Sequence, residues 1–391
     1  MEKRGPDTSL TLFDDASLYE APLKHVALLP PEDYVPEILP GTGNALKVTI
    51  NKEHAYEVLD RLITAYEANE APYSYDRTRV PQDPRHMPQT LERGTTEHAM
   101  FFFNTCYYMR GGIKSNDAVQ RLSGIFDEWP ELFNAETAQY FDVEVLKEIL
   151  TQHGLGFQPT VAPQWIENAR RLHENFDGDP RNLFDEDSTY EQSQKRIQND
   201  GKGNGFIGFQ EKMTSMIIYY LMDENLIKPF NFPVPVDLHV MRVSIANEMI
   251  LFDDAPYGTN LFTKDTLAKL RDLYFTYAEE RNVNPLRLCD AVWMLSESSC
   301  GRNPGNTTIE PLGRQQRNGR ATYLIPKEVD TSDPAQQAAY ASSCAVCPIE
   351  KTCEYNIPGT QYYVSGGIII RGRRVRFPLP LSRPQTLDID V

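Results

Sequence analysis

Apolar residues recur along most of this chain at the three-to-four-residue spacing of amphipathic helices, and stretches without any period separate them. From Lys47 to Asn69 the positions of Val48, Ile50, Tyr56, Leu59, Leu62 and Ile63 predict a helix. His98 to Arg110 is aromatic and apolar nearly all round, the pattern of a buried helix. Ser115 is placed to cap a helix running through Phe126, with Asp117 in the first turn, where the helix dipole favours an acid. Ala135 to His153, ended by Gly154, predicts another helix. Pro163 to Phe176 predicts a further one, with Trp165, Ile166, Ala169 and Leu172 along one side. Phe209 to Met222, Leu238 to Leu251, Thr263 to Asn282 and Pro285 to Ser299 complete the series. Strand patterning is confined to YYVSGGIIIRGRRVRF, which alternates about Gly366 and Gly367 and reads as a small hairpin. Residues 1–45 are rich in proline, and 70–96 and 301–343 carry no sustained period. The expected class is mainly α, with an N-terminal arm and a short β-hairpin at the C-terminal end.

Length and composition narrow this picture. A chain of 391 residues suffices for one large domain or two moderate ones. The longest apolar run, MIIYYLM, is far shorter than a membrane span, and no apolar segment follows the charged N-terminus, so a soluble cytoplasmic protein is expected. The net charge of −16 counts against a nucleic-acid partner, because phosphate contacts need Lys and Arg. The acid is concentrated in 126–148 and 174–191, however. The C-terminal third carries RNPGNTTIEPLGRQQRNGR and IIIRGRRVRF, so a basic face on an acidic protein stays open.

Six cysteines are present, and four of them crowd the C-terminal part. CAVCPIEKTC has the spacing C-x2-C-x5-C through Cys344, Cys347 and Cys353. Cys300, at the end of the helix LCDAVWMLSESSC, is the natural fourth thiolate. Four thiolates without a neighbouring histidine suit an iron–sulfur cluster or zinc. Structural zinc usually takes two close pairs, so one pair followed by a lone cysteine fits a [4Fe–4S] cluster better. Cys106 and Cys289 lie in apolar helical surroundings and are read as packing residues.

The cysteine loop, with Pro348, Ile349 and Glu354–Tyr355 around it, resembles that of endonuclease III and the adenine glycosylases, members of the HhH-GPD superfamily. The family pattern is C-x6-C-x2-C-x5-C; here a long insertion separates Cys300 from Cys344. VPVDLHVMRV resembles the family's V-D-T-H-V-x-R-V stretch, whose aspartate is the essential carboxylate, here Asp237. A capping role at the helix start would also account for an aspartate there. His239 and Arg242 are read as packing residues beside the cysteine lobe. GFIGFQEKMTSMIIYYL resembles the family hairpin: Gly208 matches its first glycine, Gln210 replaces its second, and Lys212 falls at the Schiff-base lysine. MFFFNTCYYMRGG resembles the loop that plugs the gap left by a flipped base, with Tyr107, Met109 and Arg110 in that region.

The resemblance covers about 95–300 and 344–356. It implies a two-lobed helical fold. The expected parts are an arm and accessory helix at 1–94, a helical lobe with the hairpin at 95–237, an iron–sulfur lobe at 238–356 containing the insertion 301–343, and a β-rich tail at 357–391. It also implies a monomeric, nucleoid-associated DNA glycosylase acting on duplex DNA that holds a modified base. Catalysis would fall to Asp237 and Lys212. DNA contacts would come from Gly208, Phe209, Gln210, Tyr107, Arg110 and Lys351, with a monovalent cation at the hairpin. Such an enzyme rotates the base out of the stack, and a carboxylate stabilises the positive charge on the sugar as the glycosidic bond breaks. A neutral lysine attacking C1′ would add lyase chemistry. Oxidised pyrimidines, mispaired purines and enzymatically modified cytosines are all compatible substrates. Two rivals remain: a non-catalytic DNA-binding protein on the same scaffold, and a zinc-stabilised interaction protein.

Overall fold

The computed structural model describes residues 47–75, 80–109, 113–201, 203, 205–253, 263–300, 309–315, 321–326 and 332–353. The arm before residue 47, Arg110, and the tail from residue 354 with its expected hairpin lie outside the described residues. The chain divides into two compact units. One holds 76–237 and 267–291; the other holds 47–75, 238–266 and 292–353 among the described residues.

In the first unit the helices are α2 (Thr96–Thr105), α3 (Ser115–Glu128), α4 (Ala135–Ala138), α5 (Val143–Gln152), α6 (Gln158–Phe176), α7 (Tyr190–Ile197) and α8 (Glu211–Asp223). Most of α10 (Lys264–Arg281) and of α11 (Pro285–Met294) belongs here too. The core is aromatic. α2 is buried all round, as its composition requires, and Phe101, Phe102, Phe103, Phe133, Trp165, Phe206, Phe209 and Tyr220 pack into one cluster. Phe103 stacks on Phe209 with centroids 4.7 Å apart, and Phe102 on Tyr220 at 5.0 Å. Each buried ring contributes about 1.5–3 kcal/mol.

Three helix ends differ from the sequence pattern. Ser115 is the first residue of α3, and Lys114 stands at the cap position without a side-chain bond. The segment 135–153 is broken, because the Asp142 carboxylate accepts from the amides of Glu144 (2.8 Å) and Val145 (3.1 Å) and so starts a second helix. α6 begins at Gln158 with Pro159 in its first turn, where the ring is tolerated, and Pro163 lies inside the helix and supplies no amide for the carbonyl four residues back.

In the second unit β1 (Lys47–Ile50) precedes α1 (Lys52–Glu67), where the sequence pattern suggested helix throughout. β1 pairs antiparallel with β2 (Ile250–Asp253), Ile50 opposite Ile250 and Lys47 opposite Asp253. β2 likewise ends what was expected to be one helix; the observed α9 is Leu238–Ala246. The 301–343 region contains a hairpin of β3 (Ile309–Gln315) and β4 (Ala321–Pro326), followed by α12 (Pro334–Ala341). Among the described residues no helix is long and apolar enough to cross a membrane.

Candidate active site

The hairpin ahead of α8 is built on two backbone requirements. Gly205 has φ +67, and a Cβ there would stand 2.0 Å from the carbonyl oxygen of Gln198. Gly208 has φ +84. Only glycine accepts either position without strain. The turn closes through Phe206 N–H to the Ile197 carbonyl (3.0 Å), Asn199 N–H to the Phe209 carbonyl (3.1 Å) and Phe209 N–H to the Phe206 carbonyl (3.0 Å).

Asn168 on α6 locks this turn to the core. It is fully buried. Its Nδ2 donates to the Tyr107 hydroxyl and to the Ile207 carbonyl, both at 2.9 Å, and its Oδ1 accepts the Ile207 amide at 2.8 Å. Arg171, three residues after Asn168 on the same helix, donates through Nη1 to the Gly205 carbonyl at 2.6 Å.

These bonds correct part of the expectation. The amides of Phe206, Ile207 and Phe209 are already donated within the protein, so they do not offer themselves to a phosphate. The carbonyls of Ile197, Phe206, Ile207 and Phe209 each accept one hydrogen bond and keep a second lone pair. Phe209 is fully buried against Phe103 and supports the hairpin from behind. Tyr107 is fully buried too, stacked on Trp165 at 5.8 Å and bonded to Asn168, so it packs the core and faces no DNA. Gln210, at the cap position of α8, is exposed and makes no capping bond. Lys351 is exposed.

Lys212 and Asp237 lie 25 positions apart in sequence, yet Lys212 Nζ stands 3.8 Å from Asp237 Oδ2. The same Nζ donates to the Met109 carbonyl at 2.5 Å. Both side chains are about four-fifths buried. An ion pair drawn this far from water loses solvation that its attraction barely returns, so stability alone is a poor reason for it. The arrangement fixes an amine beside a carboxylate at the first turn of α8. Glu211, next to Lys212, is paired with Arg271 of α10.

In the second unit, α9 holds the residues before Cys300. Arg242 Nη1 donates to the Ser296 carbonyl at 2.9 Å, and His239 Nδ1 lies 3.1 Å from Ser296 Oγ. Ser296 belongs to the wide π turn Leu295–Cys300 that continues α11. His239 and Arg242 thus position the turn that presents Cys300. The loop with the other three cysteines is held by Cys347 N–H to the Cys344 carbonyl and Cys353 N–H to the Ile349 carbonyl, both 3.1 Å, and by Thr352 Oγ1 to Asn247 Oδ1 at 3.0 Å.

The four cysteines are each half-buried. Burial pushes the Cys347 thiol well up; the negative charges of Cys300 and Cys353, and less strongly of Cys344, push it further. Arg242 favours the charged form of Cys300, against burial. Thiols that act on one another in this way share one neighbourhood, and an all-sulfur donor set suits iron–sulfur or zinc. Among the described residues no group of three or more Cys, His, Asp or Glu side chains is closed up to metal-binding separation. Cys106 is buried, and Cys289 packs against the aromatic core with its thiol pushed well up by burial, as packing residues should be.

No family model matches this chain, and no curated protein does. Two solved structures are similar in backbone. One is an 8-oxoguanine glycosylase/lyase of Methanocaldococcus jannaschii, in complex with DNA containing 8-oxoguanine: identity is 11%, coverage 62% of this chain and 97% of that one, and the TM-score 0.40. The other is the 8-oxoguanine DNA glycosylase of Thermotoga maritima, at 18% identity with the same coverages and a TM-score of 0.40.

Asn168 and Arg171 are site-building residues that neither periodicity nor the resemblance singles out; the resemblance places Met109 only in the gap-plugging segment, and it holds Lys212. Asn168 carried one usable signal, a polar residue on the apolar side of α6 between Trp165 and Leu172.

Proposed function

We propose that this protein is a DNA glycosylase that excises a modified base from duplex DNA, with Lys212 and Asp237 as its reacting pair. The observation that carries the reading is the 3.8 Å approach of Lys212 Nζ to Asp237 Oδ2 at the start of α8. The two motifs that resemble the HhH-GPD superfamily thereby supply an amine and a carboxylate at one place.

The chemistry follows from that pair. As the C1′–N bond breaks, its electron pair leaves with the base and positive charge grows on the sugar. The Asp237 carboxylate stabilises that charge. The lone pair of Lys212 Nζ, once the amine has given up its proton to the Asp237 carboxylate 3.8 Å away, forms the new bond to C1′, and opening of the sugar ring at O4′ then gives the imine. The resulting Schiff base permits strand cleavage by β-elimination. The Met109 carbonyl holds the ammonium before reaction and keeps the side chain aimed. Phosphate contacts would fall to the N-terminal end of α8 behind Gln210, and to Lys351.

Cys300, Cys344, Cys347 and Cys353 would hold a [4Fe–4S] cluster, which would fix the loop bearing Lys351 and take no part in bond breaking. Iron and sulfide analysis, with a brown visible absorption lost in Cys347→Ala, tests this; stoichiometric zinc in colourless protein contradicts it.

The glycosylase reading is tested by incubating the full chain with duplexes carrying a panel of modified bases, then cleaving abasic sites with alkali. Breaks in wild type that disappear in Asp237→Asn support it. Equal breaks in both proteins refute Asp237 as the carboxylate, and DNA binding without any break favours the non-catalytic scaffold, for which Gln210 in place of glycine already speaks.

A further inference from the structure

A second polar group lies buried in the first unit, and neither the resemblance nor the reacting pair accounts for it. Gln82 is 3% exposed. Its Nε2 donates to the Tyr219 hydroxyl and, at 2.9 Å, to Asp223 Oδ2. The Tyr219 hydroxyl in turn donates to Asp290 Oδ1 on α11. Gln82 Oε1 is buried and has no hydrogen-bond partner.

The donor and acceptor balance is uneven. The Gln82 amide has two N–H bonds and Tyr219 one O–H, and these three are spent on Tyr219, Asp223 and Asp290. What remains unspent is an acceptor, Gln82 Oε1, beside two carboxylates. A cluster whose only purpose was to join residues 80–88 to α8 would be expected to satisfy itself, because a buried unpaired polar atom is costly. Burial holds the Asp223 carboxyl above its ordinary range, against the Gln82 hydrogen bond.

Its location ties it to Lys212. Tyr219 and Asp223 follow Lys212 by seven and eleven positions on α8, which at 3.6 residues per turn places all three on one helix face. The Tyr219 position is roughly 10 Å along the axis from that of Lys212. Cys289 links the two places, because its thiol feels the charges of Asp290, Asp237 and Asp223 together.

We propose that Gln82, Tyr219, Asp223 and Asp290 read the edge of the base released at Lys212, and that Gln82 Oε1 accepts a hydrogen bond from an exocyclic amino group. This deepens the glycosylase reading and rests on it. The substrate class is a modified base that keeps its amino group, cytosine-type or adenine-type. A base with a carbonyl oxygen at that position places an acceptor against acceptors and leaves Gln82 Oε1 unpaired, the arrangement by which a hydrogen-bonding site rejects a near-isostere.

Matched pairs of bases that exchange the amino group for a carbonyl, and with it the neighbouring ring nitrogen for an N–H, test this. Duplexes containing 5-hydroxycytosine or 5-hydroxyuracil, and adenine or hypoxanthine, are incubated with the iron-loaded full chain under single-turnover conditions. Wild type is expected to excise the amino member of a pair at least about tenfold faster. Gln82→Met is expected to bring that ratio close to one, and Tyr219→Phe to reduce it. Thermal melting runs in parallel. A wild type that shows no preference, or prefers the carbonyl member, overturns the inference while leaving the glycosylase reading intact. So does a Gln82→Met variant with a lowered melting temperature and an unchanged ratio, the behaviour of a structural joint. Excision of no member of any pair sinks the glycosylase reading and this inference with it.

Discussion

Replacing Asn168 by alanine should damage the protein far more than its position in mid-helix suggests. The side chain makes three buried hydrogen bonds: to the Tyr107 hydroxyl (2.9 Å), the Ile207 carbonyl (2.9 Å) and the Ile207 amide (2.8 Å). Alanine removes all three and takes one partner from the Tyr107 hydroxyl and one from each backbone group of Ile207. Each stranded polar group costs about 1–3 kcal/mol, and the Tyr107 hydroxyl has some freedom to turn, so the expected loss is about 3–5 kcal/mol. For a unit of this size the melting temperature should fall by about 10 °C. The same change frees Ile207, at the centre of the hairpin that leads into α8, so binding to duplex DNA should weaken even at temperatures where the variant is folded. The control is Asn175→Ala on the same helix, an exposed residue that bonds only the Arg171 carbonyl (2.9 Å). It should stay within about 0.5 kcal/mol of wild type. Calorimetry and a DNA-binding titration measure both variants. An Asn168→Ala protein melting within about 2 °C of wild type would refute this account of the hairpin.

Three further outcomes are expected. Gly205→Ala combines a left-handed backbone with a Cβ 2.0 Å from a backbone oxygen, so it should yield a protein that fails to accumulate in folded form or melts at least about 10 °C lower. Hydrogen bonds from Arg170 and then Arg171, opposed by partial burial, lower the Glu167 carboxyl from 4.5 to about 2. Its contribution is therefore complete above pH 4.5 and lost as pH falls toward 2, and after solvent screening it amounts to about 1 kcal/mol or less. The stability gap between wild type and Glu167→Gln should close over that interval, and denaturation at stepped pH would show it. Glu211→Gln removes an acid from the first turn of α8 and releases Arg271. DNA affinity at low salt should rise about threefold to tenfold, which a salt-dependent binding titration would reveal.

The grouping of candidate residues was legible in the sequence where it depends on local spacing. Cys344, Cys347 and Cys353 sit on one short loop, so their grouping needs no tertiary knowledge. The helical class was legible because amphipathic periods survive burial, as along Trp165, Ala169 and Leu172. Distance in sequence hid the rest. β1 exists because Lys47–Ile50 meets Ile250–Asp253, about two hundred positions away, and Val48 and Ile50 alone merge into the period of the following helix. Asp142 breaks a periodic segment through two backbone bonds that outweigh the pattern. Tyr107 is expected at DNA because its segment resembles the loop that plugs the gap left by a flipped base, but the structure packs it in an aromatic core. Gln82 carries no pattern of its own, and only its unpaired buried oxygen marks it.

The most direct test of the reacting pair is trapping with borohydride. The full chain is mixed with a duplex containing a base that it excises, reduced during turnover, and the DNA-bound peptide is mapped by mass spectrometry. A covalent adduct on Lys212, absent in Lys212→Ala and strongly reduced in Asp237→Asn, is the predicted result. An adduct on another lysine, or unimpaired excision by Lys212→Ala with no adduct in wild type, would contradict the assignment of Lys212 as the nucleophile.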